Sequence, residues 1–166
     1  LVDVPTGDMI RSITLDKPVD HKLPDLSVPF AITLGRELSP KVLRHFLGLH
    51  HLVALEVSFH EEVRGADVAQ LAGLPRFQQM FARGMRHWNE ADLEAVAGMT
   101  GLRLLNLQLS AAGDEALGRL TSISELTHLN LDDANITDAF LEQVPRFKRL
   151  ETLHVSRTGV TNAGLA

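Results

Sequence analysis

One apolar skeleton recurs along this chain at a step of 24 or 25 residues, and it restricts the fold more than any other feature. The stretch "LTHLNLDDANITDAFL", residues 126–141, returns as "LETLHVSRTGVTNAGL", residues 150–165. Leu126, Leu129, Leu131, Ile136 and Leu141 thereby become Leu150, Leu153, Val155, Val160 and Leu165. Upstream the same frame gives Leu102, Leu105 and Leu107 with Leu117, Leu120 and Ile123, then Phe77, Met80 and Ala82 with Leu93, Val96 and Met99. Two further steps give Leu52, Leu55 and Val57 with Val68, Leu71 and Leu74, and Phe30 and Ile32 with Leu43, Phe46 and Leu49. Ile10, Ile13 and Leu15 open a shorter unit, whose return "DKPVDHKLPDLSVP" is too short and proline-rich for a helix.

Two periods alternate inside each unit. The "LxL" core is a short strand whose alternate residues point inward. The later spacing of three places one apolar stripe along a helix. Ser39, Asn89, Thr137 and Thr161 each stand four residues before the first residue of such a stripe and suit helix N-caps. Pro40 follows Ser39 at the first helical position, where its missing donor costs nothing. Strand, turn, helix and return make one coil, and successive strands pair in parallel. A single coil cannot bury enough apolar surface to hold itself, so neighbours must stack, and each must fill the same slots.

A repeat of this length with "LxxLxL" resembles the leucine-rich repeats over nearly the whole chain. The late units, through "LDDANITDAFLEQV" and "VSRTGVTNAGL", are similar to the bacterial type "LxxLxLxxTxITDxxLxxL"; "EVSFHEEVRGADVAQL" fits it more loosely. The resemblance implies an α/β fold, a right-handed solenoid arc with a parallel concave sheet and convex helices. It also implies a protein-interaction scaffold without catalysis of its own, binding a protein partner on the concave face. Residues 1–29 are expected to form an N-terminal cap strand and loop, and 30–166 the repeats, the last one incomplete. The open C-terminal edge offers a second role, stacking of copies, so the chain is expected as a monomer or an edge-to-edge dimer. A third role is substrate recognition within a larger enzyme or effector. The chain starts at Leu1 without Met and is read as a piece of a longer protein.

Composition narrows the partners. A net charge of −5, with no basic run and 5% aromatics, argues against nucleic acid and anionic membranes. No apolar stretch reaches the length that spans a bilayer. Cysteine is absent, which removes disulfides and thiolate sites and suits the cytosol. No motif for a cofactor or catalytic centre survives. "FHEEVRG" has Arg64 where a zinc-protease motif needs its second histidine. Gly98 and Gly101 are turn glycines, and neither a phosphate loop nor a "GxSxG" elbow occurs. Glu56 and Asp132 lie three repeats apart, about 14 Å by strand spacing, too far for a glycosidase pair. "NIT" at Asn135–Thr137 is formally a glycosylation sequon, but Thr137 reads better as a cap. His50, His51 and His60 are expected in surface turns. Ser110, Ala134 and Thr158 occupy the position of the asparagine ladder found in many leucine-rich repeats, leaving that turn less firmly bonded.

The outward strand residues are free of the skeleton and form three columns. The first is Ala54, Gln79, Leu104, His128 and Thr152. The second is Ala31, Glu56, Phe81, Asn106, Asn130 and His154. The third is Thr33, Ser58, Arg83, Gln108, Asp132 and Ser156. Phe81 and Leu104 are apolar points near the middle with Arg83 beside them, a composition favoured at binding hot spots. The expected contact surface is Phe81, Arg83, Leu104, Asn106, Gln108, His128, Asn130, Asp132 and His154. His128 and His154 with Asp132 fall short of a defined metal geometry, so no metal is expected there.

Overall fold

The computed structural model describes residues 11–19, 22–23 and 25–164, and its seven strands form one parallel sheet in chain order. They are β1 (Arg11–Leu15), β2 (Phe30–Leu34), β3 (Leu52–Glu56), β4 (Gln79–Phe81), β5 (Leu104–Asn106), β6 (His128–Asn130) and β7 (Thr152–His154). Each returns through a convex segment, four of which carry α-helices: α1 (Gly65–Ala69), α2 (Glu90–Ala97), α3 (Asp114–Gly118) and α4 (Asp138–Leu141). This is the leucine-rich-repeat solenoid that the period implies.

The skeleton residues fill the space between sheet and returns. Leu55, Met80, Leu105 and Leu129 follow one another across the sheet at 0–1% exposure, and Leu43, Val68, Leu93 and Leu117 do so along the returns. A further inward column, Leu38, Val63, Trp88, Ala112, Ile136 and Val160, runs through the descending turns. The indole of Trp88 donates to the carbonyl of Val63 at 2.8 Å, so its polar atom is satisfied inside the core. Leu150, Leu153, Val155 and Val160 are only half-buried, since no described coil covers β7 on its outer side.

The convex returns are shorter and tighter than an amphipathic stripe suggests. Pro40–Phe46 is a 3₁₀ segment throughout, and α1, α3 and α4 give way to 3₁₀ turns at or just after their ends. Local side-chain bonds favour the tighter winding: Thr121 and Ser122 donate to the carbonyls of Gly118 and Arg119, three residues back. In the last return the larger Phe140 takes the buried slot beside Phe147, ring centroids 6.5 Å apart, and Leu141 is left half-buried. All four expected caps accept backbone N–H groups: Ser39 from Lys41, Asn89 from Ala91 and Asp92, Thr137 from Ala139, and Thr161 from Ala163.

Two expectations about register and turns change. The frame between β2 and β3 is 23 residues, not 25: Ile32 pairs with Leu55, Ala31 with Ala54 and Thr33 with Glu56, after a bulge at Val53. Ala31 therefore belongs to the first column and Thr33 to the second. His60 is not a surface residue but 1% exposed. It stands in the asparagine-ladder position, two units before Ser110, and its imidazole bonds the turn. Nδ1 accepts from the N–H groups of Glu62 and Val63, and Nε2–H donates to the carbonyl of Leu38 at 2.7 Å. Ser110 and Thr158 likewise accept from Ala112 and Val160 two residues on, so among the described coils from β3 onward only Met85 and Ala134 leave that position without a polar bond.

Every described coil from β3 onward also carries one left-handed residue at the same place: Phe59, Gly84, Leu109, Asp133 and Arg157, with φ between 57° and 68°. Four of the five are not glycine, although the left-handed region costs an ordinary residue about 1–2 kcal/mol. The bend is needed to turn the chain out of the sheet, and the ladder holds it: Phe59, Gly84, Leu109 and Asp133 each donate to the next coil, onto Arg83, Gln108, Asp132 and Ser156 carbonyls at 2.7–2.9 Å.

Coils are also riveted by aspartates at helix starts. Asp92, 4% exposed, accepts from Asn89 N–H in its own coil, from Gly65 N–H in the coil before, and from the Arg64 guanidinium at 2.8 Å. A Cβ at Gly65 would lie 2.1 Å from the Asp92 carbonyl oxygen, so the two coils touch backbone to backbone there. Charge-assisted hydrogen bonds in this setting are worth about 1.5–3 kcal/mol each. Asp92→Ala should therefore lower the unfolding free energy by about 2–4 kcal/mol, read from urea denaturation. A loss under about 0.5 kcal/mol would show that the rivet is redundant.

Candidate functional site

From β3 to β7 the sheet pairs without a break, so the outward residues stand in two straight columns. Ala54, Gln79, Leu104, His128 and Thr152 form one, and Glu56, Phe81, Asn106, Asn130 and His154 the other. Adjacent rows lie about 4.8 Å apart. The chain beyond each strand carries the third column, Ser58, Arg83, Gln108, Asp132 and Ser156, joined row to row by the turn ladder.

The expected contact residues fall into this geometry with different freedoms. Phe81 is half-buried, between Glu56 and Asn106 in its column. Leu104 is 8% exposed, so it is not the open apolar point that its column position suggests. Gln79 and His128 stand beside it on the two neighbouring strands. Asn106 and Asn130 each accept the N–H two residues on, from Gln108 at 3.0 Å and Asp132 at 2.9 Å, closing the strand into its turn. Half of each amide is thus structural, and only the NH₂ side is free to meet a ligand. Asp132 accepts from Ser156 N–H at 2.7 Å, and Gln108 donates to Asp133 at 3.2 Å. His128 Nδ1 lies 2.9 Å from the Thr127 hydroxyl, whose proton goes to the carbonyl of Arg103; the imidazole is therefore the donor there. His154 is exposed on the next strand, diagonal to His128. Among the described residues no three histidine or carboxylate side chains converge as a ligand set.

Arg83 is the most committed of the group. Its guanidinium pairs with Glu56 at 2.8 Å and its Nε donates to the Ser58 hydroxyl at 3.3 Å. Together with Thr33, Arg36, Phe59 and Asp16 these residues line a cavity of about 300 Å³ at the C-terminal ends of the first strands. Phe59 and Arg36 escaped the sequence reading because neither lies in a strand. The available signal was the frame itself: Phe59 stands where Gly84 and Asp133 stand in later coils, both residues suited to a left-handed turn.

The far end of the turn column is electrostatic. Asp133 takes both Arg157 nitrogens, at 2.6 and 2.7 Å, and the Gln108 amide, and these bonds hold its carboxyl at about 2, against an ordinary 3.8. Asp138 is also held below the usual range, first by Thr161 N–H and then by the Thr161 hydroxyl. Asp114 grips Thr137 in the same two-point way, at 2.8 and 2.7 Å. The "TD" pair of the motif therefore has a physical meaning: the threonine caps its own helix, and the aspartate reaches the threonine of the next coil.

The sign of the pH effect follows. A carboxyl whose folded value lies below its unfolded one adds stability above about 4, which is lost as pH falls toward about 2. Arg157→Gln should thus lower the urea midpoint at neutral pH, and the gap to the parent should close between about pH 4 and 2. A gap unchanged by pH would show that Arg157 acts through packing alone.

No protein-family model matches the chain, and no curated protein matches it. Among solved structures the chain is similar to an internalin (inlF) from Listeria monocytogenes, at 20% identity and a TM-score of 0.45. The match covers 92% of this chain and 57% of that one, so this chain spans less than two thirds of its length.

Proposed function

We propose that this chain is a protein-recognition module whose binding surface is the concave sheet, around Phe81, Arg83, Asn106, Gln108, His128, Asn130, Asp132 and His154, with Leu104 as a covered apolar floor. The observation that carries this reading is the unbroken register from β3 to β7. It sets side chains that the core does not need into straight rows on a backbone bonded on both sides. Such a surface loses little conformational freedom on binding, which favours affinity from few contacts. The polar, nearly uncharged columns and the net charge of −5 fit a protein surface better than a polyanion. Nothing in the site gathers the nucleophile, base and oxyanion donors that catalysis would require.

Affinity capture from a lysate of the source organism tests it. The double variant Phe81→Glu with His154→Glu changes the column while sparing Asn106 and Asn130, whose side chains close turns. Arg44→Glu with Gln70→Glu, both exposed on the convex side, is the control. The concave variant should bind the captured protein about 30-fold more weakly, the effect of losing one hot-spot residue, and the convex variant should match the parent. Equal retention by parent and concave variant would rule the sheet out as the contact face.

A further inference from the structure

Phe59 presents an aromatic ring at the left-handed position of its turn. Its φ of 58° is the left-handed conformation that Gly84 adopts in the next coil, where a glycine meets the same requirement. The side chain is nonetheless held in place on two sides. A Cβ at Gly84 would lie 2.3 Å from the Phe59 ring, so the missing side chain of the following coil is what makes room for it. From the preceding coil the Arg36 guanidinium lies 4.9 Å from the ring centroid. The ring is still 38% exposed, one of two large apolar side chains so open among the described residues, and the other, Leu47, is on the convex side.

We infer that the ring of Phe59, with Arg36 and the free edge of Arg83, is the anchor of the binding surface, and that it receives a partner peptide segment carrying a carboxylate beside an apolar side chain. This rests on the reading that the concave side binds protein, and it moves the anchor from the middle of the sheet to its C-terminal rim. The apolar side chain packs on the exposed ring. The carboxylate meets Arg36, which forms no ion pair among the described residues although Asp16 and Glu56 line the same cavity; Arg83 already holds Glu56 through one nitrogen. Arginine beside a preordered aromatic ring is the composition of an interface hot spot. Thr33 and Ser58 line the cavity of about 300 Å³ together with the ring and the two arginines. Asp16 also lines the cavity, against Gly35, and repels a carboxylate at that point.

The left-handed turn makes the test unusually clean, because Phe59→Gly relieves the backbone while removing the ring. The probe is a phage-displayed library of random short peptides, panned on the intact chain at low salt. Enriched clones should carry Asp or Glu next to an aliphatic or aromatic residue. They should bind Phe59→Gly and Arg36→Gln at least about ten-fold more weakly, and the Arg36 effect should shrink at high salt. Phe59→Gly should melt at or above the parent temperature. The inference is overturned if no such clones are enriched, or if they bind both variants as they bind the parent. Arg36→Gln, at an exposed position, keeps the test decisive should Phe59→Gly fail to fold. Clones that survive both changes but are lost on Phe81→Glu overturn the rim anchor and leave the sheet face standing. Clones that survive all three changes overturn both.

Discussion

Everything in this molecule depends on coils stacking in register. Each strand is three to five residues long and each return is a turn or two of helix, far too little to persist alone. Stability comes from putting Leu55, Met80, Leu105 and Leu129 against one another in a single buried row, and from bonding each coil to the next along the same row. A substitution in the skeleton is felt by two neighbours as well as its own coil. For the same reason the skeleton is held tightly while the residues between are free to change.

The polar bonds between coils serve the same constraint and also shape the surface. Asp114 and Asp138 reach forward to the next threonine, whereas Asp92 reaches back to Gly65, so helix starts are joined whatever the direction. His60, Ser110 and Thr158 bond the descending turn from one position with three different side chains. Asn106 and Asn130 close their strands with one half of the amide and leave the other half outward. The concave face is thus assembled partly from groups that the fold already uses. Its free chemistry is concentrated in Phe81, His154 and the rim around Phe59.

The arc, its parallel sheet and most of its core were legible in the sequence because period and apolarity report directly on burial. Leu126, Leu129, Leu131 and Ile136 are buried as their spacing predicts, and the strand columns from Ala54 and Glu56 onward fall in the expected rows. What could not be read was whatever depends on a change of step or on a polar group inside. The bulge at Val53 shifts Ala31 and Thr33 by one column, and no local motif marks it. His60 looks like a surface histidine until the frame places it in a ladder position, where a ring with a donor and an acceptor can replace an amide. Phe140 displaces Leu141 because two adjacent apolar residues compete for one slot and the larger wins. Leu104 shows the reverse: an outward position that is nonetheless buried, which pattern alone does not register.

Native-state hydrogen exchange of the ladder amides would test the stacking account most directly. If the coils hold one another, the amides of Met80, Leu105 and Leu129 should exchange most slowly, with protection falling row by row toward β1 and β7. Protection that ignores position, with each coil opening at its own rate and central strands no slower than the edges, would contradict it.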